Sequence, residues 1–207
     1  VAVMLEPHAD YVIFSQETIP SNGWEYFNSI TAMQENPDWD GFQVGSAFVD
    51  SYMEYYAGVG GRSKLGLSLI ETAGLPNLLT SLQDFSATVG ADTAALLSAL
   101  GTARNNSQIF GASLGDRADY YSYVDLRDFM NWFSLQTSIT DEEYNAALAV
   151  IAAYDGTVVY SRADSQLPRA TGLAVYLPST QAVYDAAYPT AAPASFAFWQ
   201  TYLDQFY

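Results

Sequence analysis

The chain has 207 residues, half of them hydrophobic and 15% aromatic, enough for one large domain or two small ones around a packed core. Its net charge is −16, with 23 Asp and Glu against seven Lys and Arg; this excludes nucleic-acid binding, which needs clustered bases, and describes an acidic, self-repelling surface. Cys is absent, so neither disulfides nor thiolate chemistry can come from these residues, and no apolar run approaches the ~18 residues of a membrane span.

In chain order, VAVML is too short for a signal sequence and lacks its basic flank. DYVIFSQ (10–16) reads as a strand. Its run YVIF does not alternate, which predicts a strand covered on both faces at the centre of a mixed or parallel sheet. Ser21-Asn22-Gly23 is turn chemistry. WEYFNSITAMQENP is helical and ends before Pro37, and Asp40 caps a second helix, GFQVGSAFVDSYMEYY, that closes at Gly58. VGGRSK is a loop, and LGLSLIE (65–71) is a second strand. LPNLLTSLQDFSATV opens a helix, an Ala-rich helical stretch follows to about Arg104, and residues 104–121 read as loop. Two capped helices come next: DLRDFMNWFSLQ (125–136) behind Asp125, and TDEEYNAALAVIAAY (140–154) behind Thr140. TVVYSR and TGLAVYLP are strands around a loop that holds Pro168, and SFAFWQTYLDQFY is an aromatic amphipathic helix. Strands alternating with helices predict an α/β layered domain.

Few side chains are arranged for chemistry. With no Cys, no G-x-S-x-G and a single His8 at a strand entrance, no nucleophile has a base beside it, and no catalytic residue is assigned. Glu17 and Glu25 could pair as acid and base, although eight residues of separation do not fix their distance. NPDWDG (36–41) holds a fragment of a calcium loop without its closing Glu, so helix capping is the preferred reading and no metal is assigned. GVGG (58–61) lacks the Lys-Ser/Thr of a phosphate loop, and no cofactor motif is present.

The stretch DYVIFSQETIPSNGWEYF resembles the segment that follows the catalytic cysteine in the clostripain family of cysteine peptidases. LGLSLIETAGLPNL, DLRDFMNWF, ATGLAVYLPS and YPTAAPASFAFWQTYLDQFY resemble further family segments in the same order. The resemblance implies a caspase-like α/β sheet with helices on both faces, incomplete at its N-terminus. It implies an end of the catalytic core at 1–60, holding the pocket turn, and a C-terminal α/β portion at 61–207 packed on it. Ser15, Gln16 and Glu17 would then lie along a bound peptide, Trp24 would wall a pocket, and Glu25 would face a basic side chain. Glu25 stands where the family commonly has Asp or Pro.

The family's His and Asp-Ala-Cys motifs do not occur in this sequence. The expected function is therefore the C-terminal part of an endopeptidase cutting after Arg or Lys, inactive as this chain alone. The alternative is a non-catalytic module that binds peptides or a partner with the same groove. Expected partners are a peptide or protein substrate and the upstream segment of the parent protein, with self-association through an exposed strand edge near Tyr11–Phe14. By resemblance the protein is secreted.

Overall fold

The computed structural model describes residues 2–59, 64–90, 94–111 and 122–206. Its helices are α1 (Ala2–Leu5), α2 (Phe27–Glu35), α3 (Gly41–Val59), α4 (Leu75–Thr88), α5 (Ala94–Asn106), α6 (Leu126–Ser134), α7 (Asp141–Asp155), α8 (Tyr188–Ala191) and α9 (Ala197–Phe206). Its strands are β1 (Tyr11–Phe14), β2 (Gly66–Glu71), β3 (Ile109–Phe110), β4 (Tyr123–Asp125), β5 (Val158–Ala163) and β6 (Ala174–Tyr176). Most of VGGRSK and residues 112–121 lie outside the described residues.

Among the described residues, two three-stranded antiparallel sheets organise the chain, in the orders β1-β2-β5 and β3-β4-β6. β1 sets Tyr11 opposite Glu71 and Phe14 opposite Ser68. The expectation of a central β1 in a mixed or parallel sheet is corrected here. The middle strand is β2, buried at its first five residues, whereas all four residues of β1 are half-buried. The run YVIF records that a strand is apolar, but not which of its edges is hydrogen-bonded. The outer edge of β1 has no partner strand among the described residues. TVVYSR and TGLAVYLP are close in sequence yet join different sheets as β5 and β6. β3 lies inside the stretch 104–121 that the sequence reads as loop, which is corrected here, and β4 follows that stretch with no strand signal of its own, because two- and three-residue strands carry too little pattern.

α3 closes one face of the first sheet, packing Val49, Tyr52, Met53 and Tyr56 on Leu65, Leu67 and Leu69. Gly45 permits this approach, because a Cβ there would run into the methyls of Leu69. The helix starts at a reciprocal cap: the Gln43 N–H donates to Asp40 Oδ1 at 2.9 Å, and the Asp40 N–H donates to Gln43 Oε1 at 3.0 Å. The cluster joins residues on both sides of position 60.

A second, larger core lies among α4, α5, α6, α7 and α9. In α6 the buried Leu126, Phe129, Met130 and Phe133 fall at i, i+3, i+4 and i+7, so one stripe faces inward. Burying each such side chain contributes about 1.5–3 kcal/mol. Thr140 and Glu143 close a capping box at the start of α7. The Trp199 indole N–H donates to the Tyr176 carbonyl at 2.8 Å, tying α9 to the second sheet.

Gly172 stands where the sheets approach. Its φ is +135°, and a Cβ would lie 2.7 Å from Val158 Cγ1 and 3.0 Å from Ser68 Cβ. Gly172→Ala combines backbone strain with overpacking and is expected to lower stability by about 2–4 kcal/mol. A urea titration checks this, and an unchanged midpoint would contradict it.

Candidate functional site

The turn after β1 is hydrogen-bonded to the rest of the chain at Gln16, Glu17 and Gly23. Ser15 Oγ donates to the Glu17 carbonyl at 2.6 Å and accepts from the Glu17 N–H at 3.2 Å. Gln16 Nε2 donates to Asp125 Oδ2 at 2.8 Å, and its Oε1 accepts from the Gly172 N–H at 2.9 Å. Glu17 is buried, and its carboxylate accepts from the N–H groups of Thr18 at 2.8 Å and Gly111 at 3.2 Å. Further along, Gly23 takes φ +76°, its N–H donates to the Pro20 carbonyl at 2.8 Å, and Tyr56 donates its hydroxyl to the Gly23 carbonyl at 2.7 Å.

The five residues singled out from sequence fall in four settings. Ser15 and Gln16 line a cavity of about 520 Å³ whose walls include Leu75, Leu78, Leu173 and Val175. Trp24 is half-buried against α3, with its ring 6.3 Å from that of Tyr52. Glu25 is half-buried, and its carboxylate accepts from the Asn28 N–H at 3.0 and 3.2 Å, capping the first turn of α2. Glu17 points into the protein toward Gly111. Of the other candidates, His8 is exposed, and Asp40 of NPDWDG caps α3. Among the described residues, no group of three or more His, Cys, Asp or Glu is placed to hold a metal ion.

Sequence reasoning read Asp125 as a helix cap, and it is one: Oδ1 accepts from the Asp128 N–H at 2.9 Å. It missed that the same carboxylate is a hub with no exposed surface. Asp125 also accepts from the Thr171 N–H at 2.6 Å, from the Thr171 hydroxyl at 2.7 Å and from Gln16. Burial pushes the Asp125 carboxyl up, while hydrogen bonds from Asp128, Gln16 and Thr171 pull it back down. The Tyr154 phenol, 2.8 Å from Thr171 Oγ1, is pushed up by burial and by the nearby Asp125 charge. A helix cap is local and legible, but partners 46 and 109 residues away are not.

Asp128 accepts from the Gln108 N–H at 2.7 Å and from Arg169 at 3.0 Å. Asp50 holds Arg162 at 2.6 Å and accepts from the Tyr160 hydroxyl at 2.8 Å, joining α3 to β5. Residues 1–61 contain nine Asp and Glu, from Glu6 to Glu54, and no Lys or Arg. The part of the chain that bears the turn therefore carries a one-sided negative charge.

Compared with known proteins, the chain matches the model of the clostripain family over residues 1–205. It belongs to that family of cysteine peptidases, and its α/β architecture is the caspase-like fold. A Bacteroides fragilis cysteine protease is similar with 19% identity and a TM-score of 0.63, over 100% of this chain and 83% of that one. A secreted C11 cysteine protease from Bacteroides thetaiotaomicron, solved with an irreversible peptide inhibitor, has 15% identity and a TM-score of 0.64, over 95% of this chain and 54% of that one. An inactive zymogen C11 protease from Parabacteroides distasonis has 17% identity and a TM-score of 0.60, over 100% and 54%. No curated protein matches.

Burial pushes the Tyr52 phenol beside Trp24 up to about 12, from an ordinary value of 10.0. The folded state thus holds this proton more tightly than the unfolded chain, and stability falls as pH rises through that window. Tyr52→Phe is expected to move the alkaline unfolding midpoint to higher pH, as read by near-ultraviolet circular dichroism; an unmoved midpoint would exclude Tyr52 as a cause.

Proposed function

We propose that these 207 residues supply the peptide-recognition part of a clostripain-type endopeptidase that cleaves after Arg or Lys, and that the attacking thiolate and its base are not among them. The observation that carries this reading is Ser15 and Gln16 at an apolar cavity, at the end of a strand whose outer edge has no partner strand among the described residues. An extended peptide can add to such an edge through its main chain, leaving alternate side chains to enter pockets. Trp24 and Glu25 follow in the same turn, outside the lining of this cavity, and the acidic side chain there would favour a cationic one on the peptide. The surplus of acid over residues 1–61 favours the approach of cationic substrates. The peptide inhibitor bound to the Bacteroides thetaiotaomicron relative, and the secretion of that relative, support an exported peptide-cleaving parent. Among the described residues, no helix is long and apolar enough to cross a membrane.

The purified chain is expected to bind a tetrapeptide amide ending in Arg and to leave Arg and Lys ester substrates intact. Turnover that a substitution within the chain abolishes would overturn the assignment of the nucleophile. Trp24→Ala with Glu25→Gln should weaken the Arg peptide by a factor on the order of 10 without unfolding the chain. Equal affinity for an acidic peptide of the same length would favour a general binding module over an Arg/Lys-directed peptidase part.

A further inference from the structure

We propose that Asp125 is a positioning residue for peptide recognition: it holds the Ser15–Glu17 turn in one conformation through Gln16 and so sets peptide affinity. The inference rests on the reading of this turn as peptide-binding.

The geometry separates two duties of one carboxylate. Oδ1 accepts from the Asp128 N–H and the Thr171 hydroxyl, and Oδ2 accepts from the Thr171 N–H and Gln16 Nε2. Three of these donors lie on Asp128 and Thr171, and only the fourth belongs to the turn. A buried charge keeps its donors strongly, because losing one leaves an unsatisfied anion away from water. The Gln16 amide can sit only one way round, since its other end accepts from the Gly172 N–H at 2.9 Å and a flip would set donor against donor. The Gly172 carbonyl is held in turn by Ser68 Oγ at 2.7 Å, and the same hydroxyl reaches the Phe14 carbonyl at 3.3 Å. Both neighbours of Ser15 are therefore fixed to the sheet and to the Thr171–Gly172 peptide. A turn fixed before its ligand arrives loses less conformational entropy on binding.

Gln16→Glu is the discriminating substitution. With one proton shared between the new carboxyl and Asp125, an O–H replaces the N–H donor and the arrangement persists. With both groups ionised, two carboxylates face each other and the contact breaks. The other ionisable groups around Asp125 are Arg127 of α6, whose guanidinium is raised by Asp155, Tyr154 of α7, whose phenol is raised, and Asp128, which is held by Arg169. Arg127 and Tyr154 therefore keep their charge states between pH 5 and 8. Thr171→Val is the control, since it removes a hydroxyl donor from the same carboxylate without touching the turn.

Two measurements on the whole chain decide the matter, each at a temperature where circular dichroism shows the variant folded. Hydrogen exchange of the amides of residues 15–18 should match wild type in Gln16→Glu at pH 5 and be faster by a factor on the order of 10 at pH 8, and should match wild type in Thr171→Val at both. Calorimetric affinity for the Arg-ending tetrapeptide amide should fall on the order of 10-fold in Gln16→Glu between pH 5 and pH 8, and stay level over that range in wild type and in Thr171→Val. Unchanged exchange in Gln16→Glu at pH 8 overturns the inference, as does an equal effect of Thr171→Val, which would reduce Asp125 to a stability residue. If wild type binds no peptide, the peptide-binding reading falls and takes the affinity claim with it, and exchange still decides whether Asp125 holds the turn.

Discussion

A carboxylate with no exposed surface must find its hydrogen bonds inside the protein, and Asp125 finds four. That requirement constrains much of the architecture. Asp125 ends β4 and caps α6, Thr171 lies just before β6, and Gln16 lies just after β1. For all of the donors to reach one carboxylate, the two sheets must meet at this point. An uncompensated buried charge costs several kcal/mol, so the junction is specified as well as stabilised.

The same meeting explains the glycine at 172. Its N–H and carbonyl are both engaged, by Gln16 and Ser68, and its φ is one that side-chain-bearing residues rarely adopt. Tyr154 adds a further tie, with its hydroxyl beside Thr171 Oγ1 and accepting from the Leu173 N–H at 2.8 Å. The aromatic cluster of Trp24, Tyr52 and Tyr56 plays the corresponding part for the distal end of the turn, where the Tyr56 hydroxyl holds the Gly23 carbonyl. One end of the turn is thus fixed by a buried polar hub and the other by packed rings on α3. Cavity and turn adjoin because β1 delivers Phe14, Ser15 and Gln16 to a space walled by α4 and β6.

Helices and caps were legible because their rules are local. The apolar spacing of α6, the Thr140–Glu143 box and the Asp40 cap each lie within a few residues of chain. Strand placement was not legible. YVIF of β1 and GLSLIE of β2 are both apolar runs, and only pairing decided that β2 is central. Family membership was legible because ordered motifs survive where pairwise identity to solved relatives has fallen to 15–19%.

By itself, the sequence determined composition, charge, the absence of a thiol, the position of most helices and the family. Only the tertiary structure decided what the individual site residues touch. Glu17 and Glu25 read alike as acids flanking a turn, yet one is buried against Gly111 and the other caps α2. Asp125 read as a cap, and its role as a hub depends on Gln16, 109 residues earlier in the chain. The physical reason is range: propensity, capping and hydrophobic period act over about one or two turns of chain, whereas a buried charge is satisfied by whatever the fold brings within 3 Å of it.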